Sequence, residues 1–153
     1  MRVRPLAFVA LFAGLAQACP CHDENDPVKV TLVVILASEE GNTIDPRLKD
    51  IAAEVRKLNP NLKSFTLKHM ENKSLKPGEK VSLKGVENKT VDLVIKHGAD
   101  KDNRVSLAVV APSMGEIEYQ TVCGKFLPIV TRFQTKNRER LILAIRVQPC
   151  RGD

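Results

Sequence analysis

Beyond Pro60 the chain reads as strand and turn, and this limits the folds open to it more than any other feature. Phe65 and Leu67 alternate with Ser64, Thr66 and Lys68; Val81 and Leu83 make a short run after the Lys76-Pro77-Gly78 turn; Val91, Leu93 and Ile95 alternate with Thr90, Asp92 and Lys96. Val105, Leu107 and Val109 continue the pattern, and from Glu116 to Val122 the polar Glu118 and Gln120 alternate with Tyr119 and Thr121. A period of two sends successive side chains to opposite faces, so each run predicts a strand with one face turned to a core. The last two runs, Phe126 to Phe133 and Leu141 to Val147, flank Lys136-Asn137-Arg138-Glu139 and predict a hairpin. The stretch from Gly98 to Asn103 reads as a turn.

Ahead of Pro60 two further elements are legible. Val28 to Leu36 opens with alternation and becomes continuously apolar and β-branched, which predicts a strand buried on both faces in its second half. Asp45 then offers an N-cap and Pro46 a first helical position, and Leu48, Ile51, Ala52, Val55 and Leu58 recur at helical spacing as one apolar stripe until Asn59-Pro60-Asn61 stops it. The outer positions, Arg47, Lys49, Asp50, Glu54, Arg56 and Lys57, are mixed in sign and read as a solvated face. One helix beside many strands predicts an α+β domain, with the helix packed on a mostly antiparallel twisted sheet or sandwich. The length from Val28 to Cys150 suits a single globular domain.

The stretch VVILASEEGNTIDPRLKDIAAEVRKL, followed by LKSFTL, KPGEKVSL and the closing RLILAIRV, resembles small exported bacterial proteins. These have a strand, a helix opening in an Asp-Pro-x-Leu-Lys segment and a β-rich remainder. The resemblance spans Leu32 to Val147 and implies the fold alone, without an activity.

The N-terminus points to export. Arg2 and Arg4 precede an apolar run, Leu6 to Ala16, which is too short to span a bilayer as a helix but long enough for a secretory leader. Ala16-Gln17-Ala18 places small residues where a signal peptidase reads, predicting cleavage before Cys19. Residues 1–18 are then a signal peptide and 19–27 a polar cysteine-containing segment ahead of the domain. The mature protein would be secreted or periplasmic, and no second apolar run is long enough to cross a membrane. Cys19 as first mature residue also permits lipidation, although the leucine at Leu15 stands one place early for a lipobox. Cys19, Cys21 and His22 are soft and borderline donors that could hold a metal ion, but a second ligand pair at zinc spacing does not follow.

Four cysteines in an oxidising compartment permit three pairings. Cys19 with Cys21 closes a very tight ring around Pro20 and is disfavoured by disulfide geometry. Crosswise bridges from the N-terminal pair to Cys123 and Cys150 stay open. The predicted hairpin favours Cys123 with Cys150, because counting outward from its turn brings both to one end.

Composition and motifs exclude more than they assign. Loss of Arg2 and Arg4 with the leader takes the formal charge from +6 to +4, and only Phe65, Tyr119, Phe126 and Phe133 remain as aromatics, too few to suggest base stacking on a nucleic acid. Seven basic residues between Lys125 and Arg151 face one carboxylate, Glu139, which suits a solvated edge that resists strand-to-strand aggregation. His69 with Glu71, or His97 with Asp100, could join Ser64, Ser74 or Ser106 in a hydrolase triad, but neither a G-x-S-x-G elbow nor a His-Glu-x-x-His pair is present. Glu39-Glu40 and Glu116 with Glu118 are paired carboxylates beside turns, and the glycines are too dispersed for a phosphate loop. Asn72-Lys73-Ser74, Asn88-Lys89-Thr90 and the terminal Arg151-Gly152-Asp153 are short matches to glycan acceptors and to an adhesion tripeptide. The expectation is an exported module without catalysis and without a cofactor, binding or structural, whose partner is a macromolecule of the cell envelope or extracellular space. The rivals are a hydrolase using His69 or His97 and a metal-binding protein using the CPCH segment.

Overall fold

A computed structural model describes residues 25–149. In chain order these form β1 (Val28–Ser38), a 3-10 turn (Pro46–Leu48), α1 (Lys49–Leu58), β2 (Ser64–Leu75), β3 (Lys80–Lys84), β4 (Thr90–His97), β5 (Arg104–Val110), β6 (Glu116–Val122), β7 (Phe126–Gln134) and β8 (Arg140–Pro149). The strands make two four-stranded sheets, one in the order β2-β1-β8-β7 and the other β3-β4-β5-β6, and every strand pairing within them is antiparallel.

The first sheet is centred on the two most apolar segments. β1 and β8 pair from Val28 opposite Pro149 to Ala37 opposite Arg140, and every residue of β1 from Val30 to Ala37 is buried. Burial on both sides explains why alternation fades in these two segments. Val28, Val30, Leu32, Val34 and Leu36 join Leu141, Leu143, Ile145 and Val147 in a cluster that also holds Leu83 of β3, Val91, Leu93 and Ile95 of β4, and Val105, Leu107 and Val109 of β5. The opposite face, with Val33, Ile35, Ala37, Ile142 and Ala144, packs against Leu48, Ile51, Ala52 and Val55 around the helix and against Phe65 of β2.

The helix ends at Leu58, before Asn59 as expected, but its start and its stripe differ from expectation. The Asp45 carboxylate accepts the backbone N–H of Arg47 at 3.0 Å, but it caps the 3-10 turn, and α1 begins only at Lys49. Proline at position 46 suits that first tight turn, since its missing N–H is not needed there. Leu58, expected in the stripe, is 65% exposed, and only Leu48, Ile51, Ala52 and Val55 reach the core. Arg56 fastens the segment that follows, its guanidinium donating to the Leu62 and Lys63 carbonyls at 3.3 and 2.8 Å.

The expected closing hairpin is present. Its turn is held by Arg138 N–H to the Thr135 carbonyl (3.0 Å) and Thr135 N–H to the Glu139 carbonyl (2.9 Å), with Arg138 in the left-handed region at φ 62°.

Candidate functional site

The residues singled out by chemistry are widely spread. His69 lies on β2, and its Nε2–H donates to the Lys84 carbonyl at the end of β3, so this imidazole ties an edge of one sheet to an edge of the other. His97 ends β4 directly opposite Ser106 on β5, a histidine–serine pair in strand register. The carboxylate such a pair would need is engaged elsewhere: Asp100 accepts the backbone N–H groups of Asp102 (2.8 Å) and Arg104 (2.9 Å) within its own loop. Those bonds, the one from Arg104 foremost, lower its pKa below the ordinary carboxylate value. Ser64 Oγ donates to the Glu40 carbonyl at 2.7 Å. Glu116 and Glu118 share Lys96 at 3.7 and 3.8 Å.

Cys123, half-buried at the end of β6, is the one cysteine among the described residues. Burial first, then the charge of Asp100, raises its pKa above the ordinary thiol value, which keeps it protonated and poorly nucleophilic. Its N–H donates to the Asn103 carbonyl and the next N–H, of Gly124, to the Val147 carbonyl, both at 2.8 Å, so Cys123 stands beside the last residues of β8. Cys19, Cys21, His22 and Cys150, and with them the cleavage, lipid and metal readings, lie outside the described residues. Among the described residues no three His, Cys, Asp or Glu side chains gather where an ion could sit. No helix there is long and apolar enough to cross a membrane.

The concave feature with binding character is a groove of about 460 Å³ between α1 and the edge strand β7, lined by Asp50, Ile51, Glu54, Lys125, Phe126 and Pro128. Its apolar lining comes from Ile51, Phe126 and Pro128, and its charged lining from Lys125 and from Asp50 and Glu54, one helical turn apart on α1. Phe126 is backed by Arg146, whose guanidinium carbon lies 4.8 Å from the ring centroid, a cation–π stack that fixes the ring. Arg146 sits opposite both Phe126 and Thr31 in the register, and Thr31 in turn donates from Oγ1 to Asn72 Oδ1 at 2.7 Å. A smaller, more polar hollow of about 220 Å³ lies at the other end of the first sheet, between Ser38, Leu62, Gln134 and Arg140.

In sequence, Asp50 and Glu54 read as part of a solvated face and Phe126 as an ordinary strand residue. The available signal was Pro128, since proline within a strand pattern marks an edge strand, and an edge is where a helix can leave an open flank. Comparison with protein families, characterised proteins and solved structures finds no match to this chain.

Proposed function

We propose that this protein is a non-catalytic binding module of the small exported bacterial kind, acting in the cell envelope or extracellular space through the groove between α1 and β7. The occupant is an extended segment of another exported protein that presents a bulky apolar side chain beside a basic one. The observation that carries this reading is the apolar lining of the groove, half-buried Phe126 and Pro128 beside buried Ile51, in company with the carboxylates of α1 and Lys125. Its volume falls within the usual range of ligand sites, roughly 300–1,000 Å³. An incoming cation meets Asp50 and Glu54 while its apolar neighbour covers Phe126. In this reading residues from Val28 to Cys150 form one domain and the two sheets pack as a sandwich, an arrangement supported by the buried cluster that draws on both.

Synthetic peptides with a leucine or phenylalanine flanked by lysine are the test, followed by NMR at Ile51 and Phe126. Resonances at those two residues should shift on titration, and Asp50→Lys should abolish the shift. Perturbation confined to other surfaces, or none at millimolar peptide, overturns the assignment.

The same reading joins Cys123 to Cys150. Cys150 directly follows Pro149, and the Gly124–Val147 bond brings Cys123 to that end of β8. The two thiols lose two protons and two electrons to a disulfide donor of the oxidising compartment. Non-reducing peptide mapping of exported protein should recover the Cys123–Cys150 pair; Cys123 linked to Cys19 or Cys21 overturns it.

A further inference from the structure

The two outer edges of the second sheet, β3 and β6, have no strand partner among the described residues. We propose that they pair with each other between copies, β6 of one molecule adding to β3 of the next, so that the protein assembles head to tail through a continuous sheet. This surface is separate from the groove and stands whether or not the groove is occupied.

The direction of the strands permits it. β3, β4, β5 and β6 are successively antiparallel, so β3 and β6 run in opposite senses. A copy displaced along the sheet therefore presents its β3 antiparallel to β6, the arrangement already used throughout.

Main-chain geometry fixes which side chains meet. In an antiparallel pair, residues alternate between those that bond their neighbour and those whose N–H and C=O face away. The Cys123 to Asn103 bond sets this alternation on β6: Ile117, Tyr119 and Thr121 bond β5, and Glu116, Glu118 and Gln120 face outward. The Gly85 to Lys89 bond sets it on β3, where Val81 and Leu83 bond β4 and Lys80, Ser82 and Lys84 face outward. One outward group, the Lys84 carbonyl, accepts from His69. New ladder bonds can form only between the outward sets. Glu118 then stands opposite Lys80, Ser82 or Lys84, and in each of these three registers a carboxylate of β6 faces a lysine of β3. The core-side residues Ile117 and Tyr119 fall beside Val81 and Leu83, apolar against apolar.

Charge selects this pairing over the alternatives. β3 on β3 would set Lys80 and Lys84 against their copies, and β6 on β6 would do the same with Glu116 and Glu118; like charges directly opposite are destabilising. Glu116 and Glu118 are available, being 55% and 72% exposed and held only loosely by Lys96 at 3.7 and 3.8 Å. The first sheet has no such match: β2 carries Lys68 and Lys73 along with Glu71, and β7 carries Arg132 and the edge-guarding Pro128. Because β3 and β6 are different surfaces, the contact is heterologous and growth does not stop at two copies.

Sedimentation velocity of the full protein, over a concentration series at low and high salt, reads the assembly. At low salt the apparent mass should rise with concentration past two copies, and about 1 M salt, where the screening length falls to about 3 Å, should return it toward monomer. Glu116→Lys/Glu118→Lys makes both edges basic, Lys80→Glu/Lys84→Glu makes both acidic, and each variant alone should stay monomeric with an unchanged circular dichroism spectrum. Mixed one to one, they regain complementary edges and should assemble again. A wild type that is monomeric throughout, growth that stops at a closed dimer, or a mixture that stays monomeric overturns the proposal.

Discussion

In β1 and β8 nearly every residue is buried, whereas in β4 burial alternates, Val91, Leu93 and Ile95 inside and Asp92, Val94 and Lys96 outside or at the surface. The difference comes from what covers each sheet. Residues of the first sheet belong both to the cluster that holds the second sheet's apolar residues and to the cluster around α1, whereas among the described residues those of the second sheet belong only to the former. The outer side of the second sheet carries a polar lattice, with Ser82 Oγ donating to Asp92 at 2.6 Å and Lys80 paired with the same carboxylate at 3.0 Å. Two sheets of equal strand number thus differ in how their residues are buried: the centre of the first contributes to both clusters, and the second to one.

Neighbouring substitutions are the sharpest way to break this comparison. Ile142→Ala and Leu143→Ala point to opposite faces of β8, both fully buried, and each should cost about 2–5 kcal/mol in a denaturant titration. In β4, Leu93→Ala should cost about as much, while Val94→Ala, half-buried on the outer face, should cost about 1 kcal/mol or less. Equal losses at 93 and 94 would show the second sheet covered on both faces too.

The helix supplies the next test. Ile51→Ala removes a side chain wedged between α1 and the first sheet and should destabilise by roughly 2–4 kcal/mol, whereas exposed Lys49→Ala should stay within about 0.5 kcal/mol. Similar values for the two would mean that the first sheet does not depend on its helix.

The tie between the sheets is weaker. His69→Ala deletes the donor to the Lys84 carbonyl at an exposed edge, and a loss of about 0.5–1.5 kcal/mol is expected by the same titration. A loss beyond about 3 kcal/mol would make the two edges one mechanical unit.

The smallest effect is one of pH. The Arg47 guanidinium beside Asp45, helped by the Arg47 N–H, holds its carboxyl at about 2 against an ordinary 3.8. Asp92 is lowered likewise, by Ser82 first and then Lys80. A depressed carboxyl contributes stability above its unfolded pKa and loses it as pH falls through the folded one. Stability should therefore decline from about pH 4 toward pH 2, and Asp45→Asn or Asp92→Asn should each flatten that decline without touching the other's share. Unfolding midpoints measured across this range, with slopes identical to wild type, would remove both carboxylates from the account.

How much of this was legible depends on where the information sits. The two-faced burial of β1 shows in TLVVILA, where alternation disappears, and the helix stripe shows in Leu48, Ile51 and Val55. The second half of β2, HMENKSL, is mostly polar, and it is a strand because β1 pairs with it along its whole length, around a bulge at Lys68. The groove was hidden for a similar reason: Asp50 and Glu54 gain an apolar neighbour only when Phe126 and Pro128, some seventy residues later, arrive beside them.

The pairing of β1 with β8 has a temporal side. The first strand and the last are neighbours at the centre of the first sheet, with about a hundred residues between them. At a synthesis rate of about 5–20 residues per second, β1 waits roughly 5–20 s for its partner, with only β2 able to cover one of its edges meanwhile. Contacts this distant in sequence make for slow folding, and an apolar strand such as VTLVVILA left open is prone to aggregation until the final hairpin closes over it.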